Sequence, residues 1–332
     1  MRTSKLQTYP SPPNLVTALL SGFDAISNHA GLILFPIALD LLIWLGPHLS
    51  LKSLIESLFN QVFSLPGFTT TQTADLVKSY REIGHLIAGR INLIVGLRSY
   101  PVGVPSLMAG RLPIASPNGS PFYLEINSFI VSTGIWLLVT SVGLVIGSLY
   151  YSMVAQAVLI GKVQWRRAFT EWPWNSIQVL GLALLLVVGL FLVSLPLSCL
   201  ISSLSSGGIP LGQCTLILYG GLLMWLIFPL LLSAHGIFVN RNSTLVSIRT
   251  GIRLTRLTLP TTGMLFITIL VFSQLLDMLW NIPNETSWLM LIGIAGHAFV
   301  GTGLLAATFV YYRDAGQWVQ AVLEKVGKAS QA

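Results

Sequence analysis

Residues 128–157 read SFIVSTGIWLLVTSVGLVIGSLYYSMVAQA, a stretch without a single charged side chain. A helix of this length exceeds the ~20 residues that cross a hydrocarbon core of about 30 Å. In lipid the stretch must be helical, because a helix satisfies its own backbone N–H and C=O groups where water cannot. Five more runs of this kind are found at 30–48, 176–203, 211–237, 259–281 and 289–312. The whole chain agrees: its 332 residues are 53% hydrophobic and 9% charged, with a mean hydropathy of +0.76. Six spans of ~20 residues use about 120 positions, and the remainder leaves no room for a large soluble catalytic domain. The sequence predicts an all-α integral membrane protein with six transmembrane helices.

Basic residues fall between the spans in alternation. Two precede the first span (Arg2, Lys5), six lie in 49–127, three follow the second span (Lys162, Arg166, Arg167) and none follows the third. Four follow the fourth (Arg241, Arg249, Arg253, Arg256), none the fifth, and the tail 313–332 holds three. Short basic connections stay cytoplasmic, while long segments translocate largely regardless of charge. Both termini are therefore expected in the cytoplasm of a multi-pass cell-membrane protein, with 49–127 extracytoplasmic. Residues 1–30 are broken by Pro10, Pro12, Pro13, Asn14, Asp24 and Asn28, so the first span is expected to act as an uncleaved anchor. The net charge of +7 sits between spans and gives no reason to expect nucleic acid.

A short segment with helical apolar spacing precedes three of the spans: Leu15, Leu19, Phe23 and Ile26; Trp165, Phe169 and Trp172; Leu245, Ile248 and Ile252. Each reads as an interfacial amphipathic helix, equally the appearance of any basic linker before a span. In the third, Arg249, Arg253 and Arg256 form a stripe suited to anionic headgroups of the cytoplasmic leaflet, and Arg166 and Arg167 stand at the matching place in the second. The unit of one surface helix plus two spans suggests a threefold repeat. It divides the chain into 1–157 with an insertion at 49–127, 158–237, 238–312 and a cytoplasmic tail 313–332.

Three stretches carry a family likeness: LVTALLSGFDAISNHAGLILFPIALDLLIWLGP (15–47), RRAFTEWPWNSIQVLGLALLLVVGL (166–190) and LVSIRTGIRLTRLTLPTTGMLFITIL (245–270). Their pattern resembles a loose group of six-span bacterial membrane proteins related to the membrane domain of some glycerophosphodiester phosphodiesterases. The likeness implies an architecture. It implies no hydrolysis, because the soluble phosphodiesterase barrel of that group and its metal-holding His and acidic residues have no counterpart here.

The insertion 49–127 holds two amphipathic stretches, 51–63 and 74–89, and then the Pro/Gly-punctuated LRSYPVGVPSLMAGRLPIASPNGSP (97–121). It is too short for an independent core and is expected to cap the outer face, with the sequon Asn118–Gly119–Ser120 exposed. Inside the membrane the polar candidates are Asp40, near the middle of the first span, and His297, at similar depth in the last. An ionised carboxylate there costs at least a few kcal/mol unless partnered. A direct Asp40–His297 pair, as a buried hydrogen bond or a protonation relay, is one reading. The other has Asp40 satisfied by Ser and Thr hydroxyls and His297 packed among Gly293, Gly296, Gly301 and Gly303. Cys199 and Cys214 flank an outer connection at 204–210 and read either as a disulfide or as two buried thiols.

No nucleotide-binding, zinc-protease, serine-hydrolase or CxxC motif is present, so neither catalytic residues nor metal ligands are assigned and no cofactor is expected. Three function classes follow. The first is a non-enzymatic accessory protein that binds lipids or organises the membrane, with membrane lipids and protein subunits as partners. The second is a small-solute permease using a midplane Asp40. The third is a membrane-embedded lipid-modifying enzyme, whose one local candidate is Glu171 beside Arg166 and Arg167.

Overall fold

The structure is a computed structural model and describes residues 12–64, 74–206 and 212–329. Arg2 and Lys5, most of the connection expected at 204–210 and the side chain of Cys214 lie outside the described residues. In order, the chain forms α1 (Leu15–Ser27), a 3-10 turn (Ala30–Ile33), α2 (Leu34–Leu45), β1 (His48–Ser50), α3 (Lys52–Phe63) and α4 (Ala74–Ala88). There follow a 3-10 turn (Leu93–Leu97), α5 (Met108–Arg111), β2 (Tyr123–Glu125), α6 (Phe129–Ile160) and α7 (Trp165–Ser206). Then come α8 (Gly212–Ile227), a 3-10 turn (Phe228–Leu230), α9 (His235–Asn240), α10 (Thr244–Leu257), α11 (Leu259–Trp280) and α12 (Met290–Ala329).

Among the described residues, five helices are long and apolar enough to cross a membrane, and six if the bent pair Leu15–Ser27 and Ala30–Leu45 is one span. This is the helix set of a multi-pass membrane protein. Three boundaries differ from the sequence reading. The surface helix expected before the third span is not a separate element: α7 runs unbroken through Pro173 and Pro196. In the fourth span α8 gives way to a 3-10 turn at Pro229, whose missing N–H cannot continue the ladder, while the span itself runs on to Asn240. Residues 313–329, expected as the tail after the last span, are helical and continue α12.

The chain divides into two compact units. One comprises residues 1–29, 151–271 and 303–332; its core gathers Ala18, Leu232, Leu254, Leu265, Val310, Tyr311 and Ala315. There α1 starts on Asn14, whose Oδ1 accepts the Val16 N–H at 2.9 Å, and it brings Gly22 so close to Ala307 that an added Cβ would lie 2.5 Å from the Ala307 nitrogen. Helix α10 docks in this unit through small and hydroxyl residues: Thr244 Oγ1 donates to the Gln178 carbonyl at 2.9 Å and Ser247 Oγ to the Ser233 carbonyl at 2.5 Å. Gly251 lies flat on Ser233, and Thr255 is fully buried. The buried face is thus Thr244–Ser247–Gly251–Thr255, whereas the expected apolar anchor Leu245 is 59% exposed. Close helix approach, which small residues and side-chain hydrogen bonds permit, decides the orientation here over apolar spacing.

The other unit comprises residues 30–150 and 272–302. Its insertion is closed at the base by a parallel ladder in which His48, Leu49 and Ser50 face Tyr123, Leu124 and Glu125. Asn92 Oδ1 adds to the seam by accepting the N–H groups of Leu49 and Ile94, each at 3.1 Å. As expected, 51–63 and 74–89 are helical; α3 and α4 pack through Phe63 and Tyr80 and through a 2.8 Å His85–Glu56 contact. Asn118 and Ser120 are exposed around a tight turn with Gly119 at φ +98°.

Part of the rest of the insertion packs deeper than a surface cap. Residues 93–108 run beside the middle of α6, where Gly143 contacts the backbone of Leu97 and a Cβ on Gly147 would lie 2.9 Å from the Val102 carbonyl oxygen. These glycines stand 14 and 18 residues into α6, about 21 and 27 Å along its axis. Gly301 of α12 receives Pro105, and Val102, Val104, Leu107 and Met108 are buried.

His48 sits at the foot of the ladder, 4% exposed, edge-on to Tyr123 with ring centroids 5.3 Å apart. Burial pushes its imidazole below the usual 6.5, against a smaller opposing effect of the Ile43 carbonyl. A His whose pKa is depressed by folding binds more protons when unfolded near pH 6.5. Its contribution is complete above that value and is lost as pH falls. Thermal melting in detergent from about pH 7.5 to about pH 5.5 should therefore lower the midpoint, and His48→Phe, which keeps the packing, should make that drop smaller. An identical drop in both proteins would remove His48 as its source.

Candidate functional site

Two constellations bring together the residues singled out by sequence. The first surrounds Asp40, fully buried in α2. Ser106 Oγ donates to its Oδ1 at 2.5 Å, the Met108 N–H donates to the same oxygen at 2.9 Å, and the Leu107 N–H donates to Oδ2 at 3.2 Å. Ser106 Oγ in turn accepts the Ala109 N–H at 3.0 Å. One carboxyl group thereby binds the free backbone donors at the start of α5, donors that have no intrahelical partner. Residues 106–109 could not otherwise be buried without leaving N–H groups unpaired.

His297 is buried in the same unit, but its hydrogen bond goes to Asp277 of α11, Nδ1 to Oδ1 at 2.7 Å. The direct Asp40–His297 hydrogen bond read from depth is not made, because Asp40 is already satisfied by the 106–108 backbone and Ser106. The two remain close enough to interact electrostatically, and His297 Nε2 is buried without a hydrogen-bond partner among the described residues. Of the four glycines expected around His297, Gly296 accommodates the Trp280 ring, Gly293 the Trp280 backbone and Gly301 Pro105. Arg111, at the end of α5, donates to the Asn281 carbonyl at 3.1 Å and lies 3.9 Å from Glu285. Asp277 and Glu285 are thus structural partners of His297 and Arg111.

The second constellation is basic. Arg249, Arg253 and Arg256 all lie on the exposed side of α10, and none takes part in the ion pairs of the described residues. Exposed Leu245, Val246 and Leu257 accompany them. Arg166 and Arg167 are exposed at the start of α7. They flank a recess that also holds Trp165, Glu171 and Arg241. Glu171 lies 3.0 Å from Arg167 and 3.7 Å from Arg241, an arrangement that occupies it as a bridge between two cations. His235, read as a water-facing residue near a helix end, is instead buried, its Nε2 2.7 Å from Thr308 Oγ1. Cys199 is a free thiol, and it is exposed rather than buried.

Sequence reasoning missed Ser106 and Asp277. Ser106 lies outside the apolar runs, and Asp277 stands at the outer end of one and reads with the acidic connection that follows it. The glycine pair Gly143 and Gly147, four residues apart on one face of an otherwise bulky helix, is the signal in the sequence that a foreign backbone lies there. Comparison with family models, with curated proteins and with solved structures returns no match.

Replacing Asp40 by Asn sets an amide N–H against donors that all point inward. We expect Asp40→Asn to lose about 3 kcal/mol, read as a lowered melting midpoint in detergent, and Ser106→Ala to lose less because both backbone donors keep their acceptor. Equal stability of wild type and Asp40→Asn would contradict the anchoring role.

Proposed function

We propose that this chain is a non-enzymatic membrane protein that binds anionic lipid headgroups at the cytoplasmic leaflet. Both termini face the cytoplasm, and the exposed part of 49–127 faces the other side. One observation carries the reading: α10 buries a polar underside against its own unit and presents Arg249, Arg253 and Arg256 outward beside exposed Leu245, Val246 and Leu257. An exposed face that mixes arginines with apolar side chains suits a headgroup–acyl boundary, where each cation is worth about 1 kcal/mol. Arg166 and Arg167 extend the basic surface. Kinship with the membrane domains of glycerophosphodiester phosphodiesterases and the threefold repeat belong to the same proposal; α1, the start of α7 and α10 are the corresponding segments that support it.

A permease built on Asp40 has one observation in its favour, the partnerless Nε2 of His297 within electrostatic reach of that carboxyl. Against it, three donors already fill Asp40. The lipid-modifying enzyme loses its local support, because Glu171 is engaged by Arg167 and Arg241.

The test is native mass spectrometry of protein released from bilayers of phosphatidylglycerol and phosphatidylcholine. Bound lipid should be enriched in phosphatidylglycerol over the bilayer, and Arg249→Gln/Arg253→Gln/Arg256→Gln should cut that enrichment by at least about fivefold. Bound lipid of the same composition as the bilayer would overturn the proposal.

A further inference from the structure

Where α8 stops, the surface opens into a groove of about 460 Å³, within the size range of small-molecule sites, roughly 300–1,000 Å³. Its walls are Met224, Trp225 and Phe228 on one side and Ile252 and Leu259 on the other, with Arg256 at the rim. The groove exists for two reasons written in the sequence. Pro229 ends α8 in a 3-10 turn and widens the chain's path there. Gly221 presents no side chain to fill the space, and nothing lies within 4 Å of where its Cβ would be.

Three features define an occupant. The walls are apolar, and Met224 and Trp225 are 71% and 69% exposed, an arrangement that water disfavours and an acyl chain satisfies. Arg256 is exposed and outside the ion pairs of the described residues, so its guanidinium fork is available to a phosphate. Finally, Arg256 lies three residues before Leu259, where the membrane-crossing helix α11 begins. The cation therefore stands at the end of a span, at headgroup level, and the apolar walls continue from it along α8. A cation at one end and an apolar trough leading away from it match the two ends of one amphiphile.

We propose that this groove is a binding site for a single anionic phospholipid, with its phosphate on Arg256 and one acyl chain lying between Met224–Trp225 and Leu259. The proposal rests on the lipid-binding reading above and narrows it from a basic face to one residue and one trough.

The experiment uses the full chain in the same mixed bilayers of phosphatidylglycerol and phosphatidylcholine, followed by native mass spectrometry with stepped collisional activation. Wild type should keep one phosphatidylglycerol after the others have dissociated. Arg256→Gln should reduce that retained species by about fivefold, and Arg256→Lys should restore part of it. Gly221→Phe, which fills the trough without meeting backbone, should abolish it, while Arg249→Gln/Arg253→Gln should leave it in place. Retention unchanged in both Arg256→Gln and Gly221→Phe overturns the groove. If Arg249→Gln/Arg253→Gln nonetheless lowers overall phosphatidylglycerol enrichment, the basic-face reading survives that failure. If wild type retains no phosphatidylglycerol preferentially, both fall. Should Gly221→Phe not fold, the Arg256→Gln and Arg256→Lys pair decides alone.

Discussion

The buried carboxyl of Asp40 governs the architecture of its unit. Placing a carboxyl among apolar helices costs several kcal/mol unless its oxygens find donors, and placing a non-helical segment there costs as much unless its N–H groups find acceptors. Ser106, Leu107 and Met108 resolve both demands at once. Neither partner is tolerable alone, so the first span and the insertion specify each other across more than sixty residues of sequence. The ladder between His48–Ser50 and Tyr123–Glu125 closes the insertion at its base, and Arg111 ties the far side of α5 to the 281–285 connection.

Small residues make these approaches geometrically open. Gly143 and Gly147 admit the backbone of Leu97–Gly103, and Gly301 admits Pro105. In the other unit Gly22 and Gly251 do the same for Ala307 and Ser233. Where lipid is the alternative environment, apolar burial gives little preference for protein over acyl chain, and close contact with hydrogen bonding supplies the specificity. The chain Thr258–Thr262–Tyr311, with oxygen–oxygen distances of 2.9 Å at each step, and the Thr244–Gln178 bonds belong to the same economy.

Most of the helical framework was legible in the sequence, because apolar runs of twenty or more residues have few alternative structures. The exceptions have physical causes. The surface helix expected at 165–172 and the third span form one helix, α7, which runs through Pro173. The 97–112 stretch reads as a surface cap because Pro and Gly signal exposed turns in water. Packed against glycine notches and capped by Asp40, Ser99, Val102, Val104 and residues 106–109 of the same stretch are buried. Depth counting put Asp40 and His297 at a similar level yet could not show that Ser106 and Asp277 take their hydrogen bonds, because those partners come from a non-helical segment and from the end of another span. The arginine stripe of α10 was legible as a pattern, while the groove at Arg256 was not, as it depends on where Pro229 ends α8.

The Asp40 anchor makes one requirement: the insertion must fold into its own unit rather than lie on the surface. The direct measurement is thiol accessibility in the full chain with Cys199 and Cys214 replaced by serine. A cysteine at Val102, fully buried against α6, is compared with one at exposed Ser120, using a membrane-impermeant maleimide applied from either side. The account predicts rapid modification at Ser120→Cys and none at Val102→Cys until the protein is denatured. Equal modification at both positions would contradict it, and would return residues 93–108 to the surface.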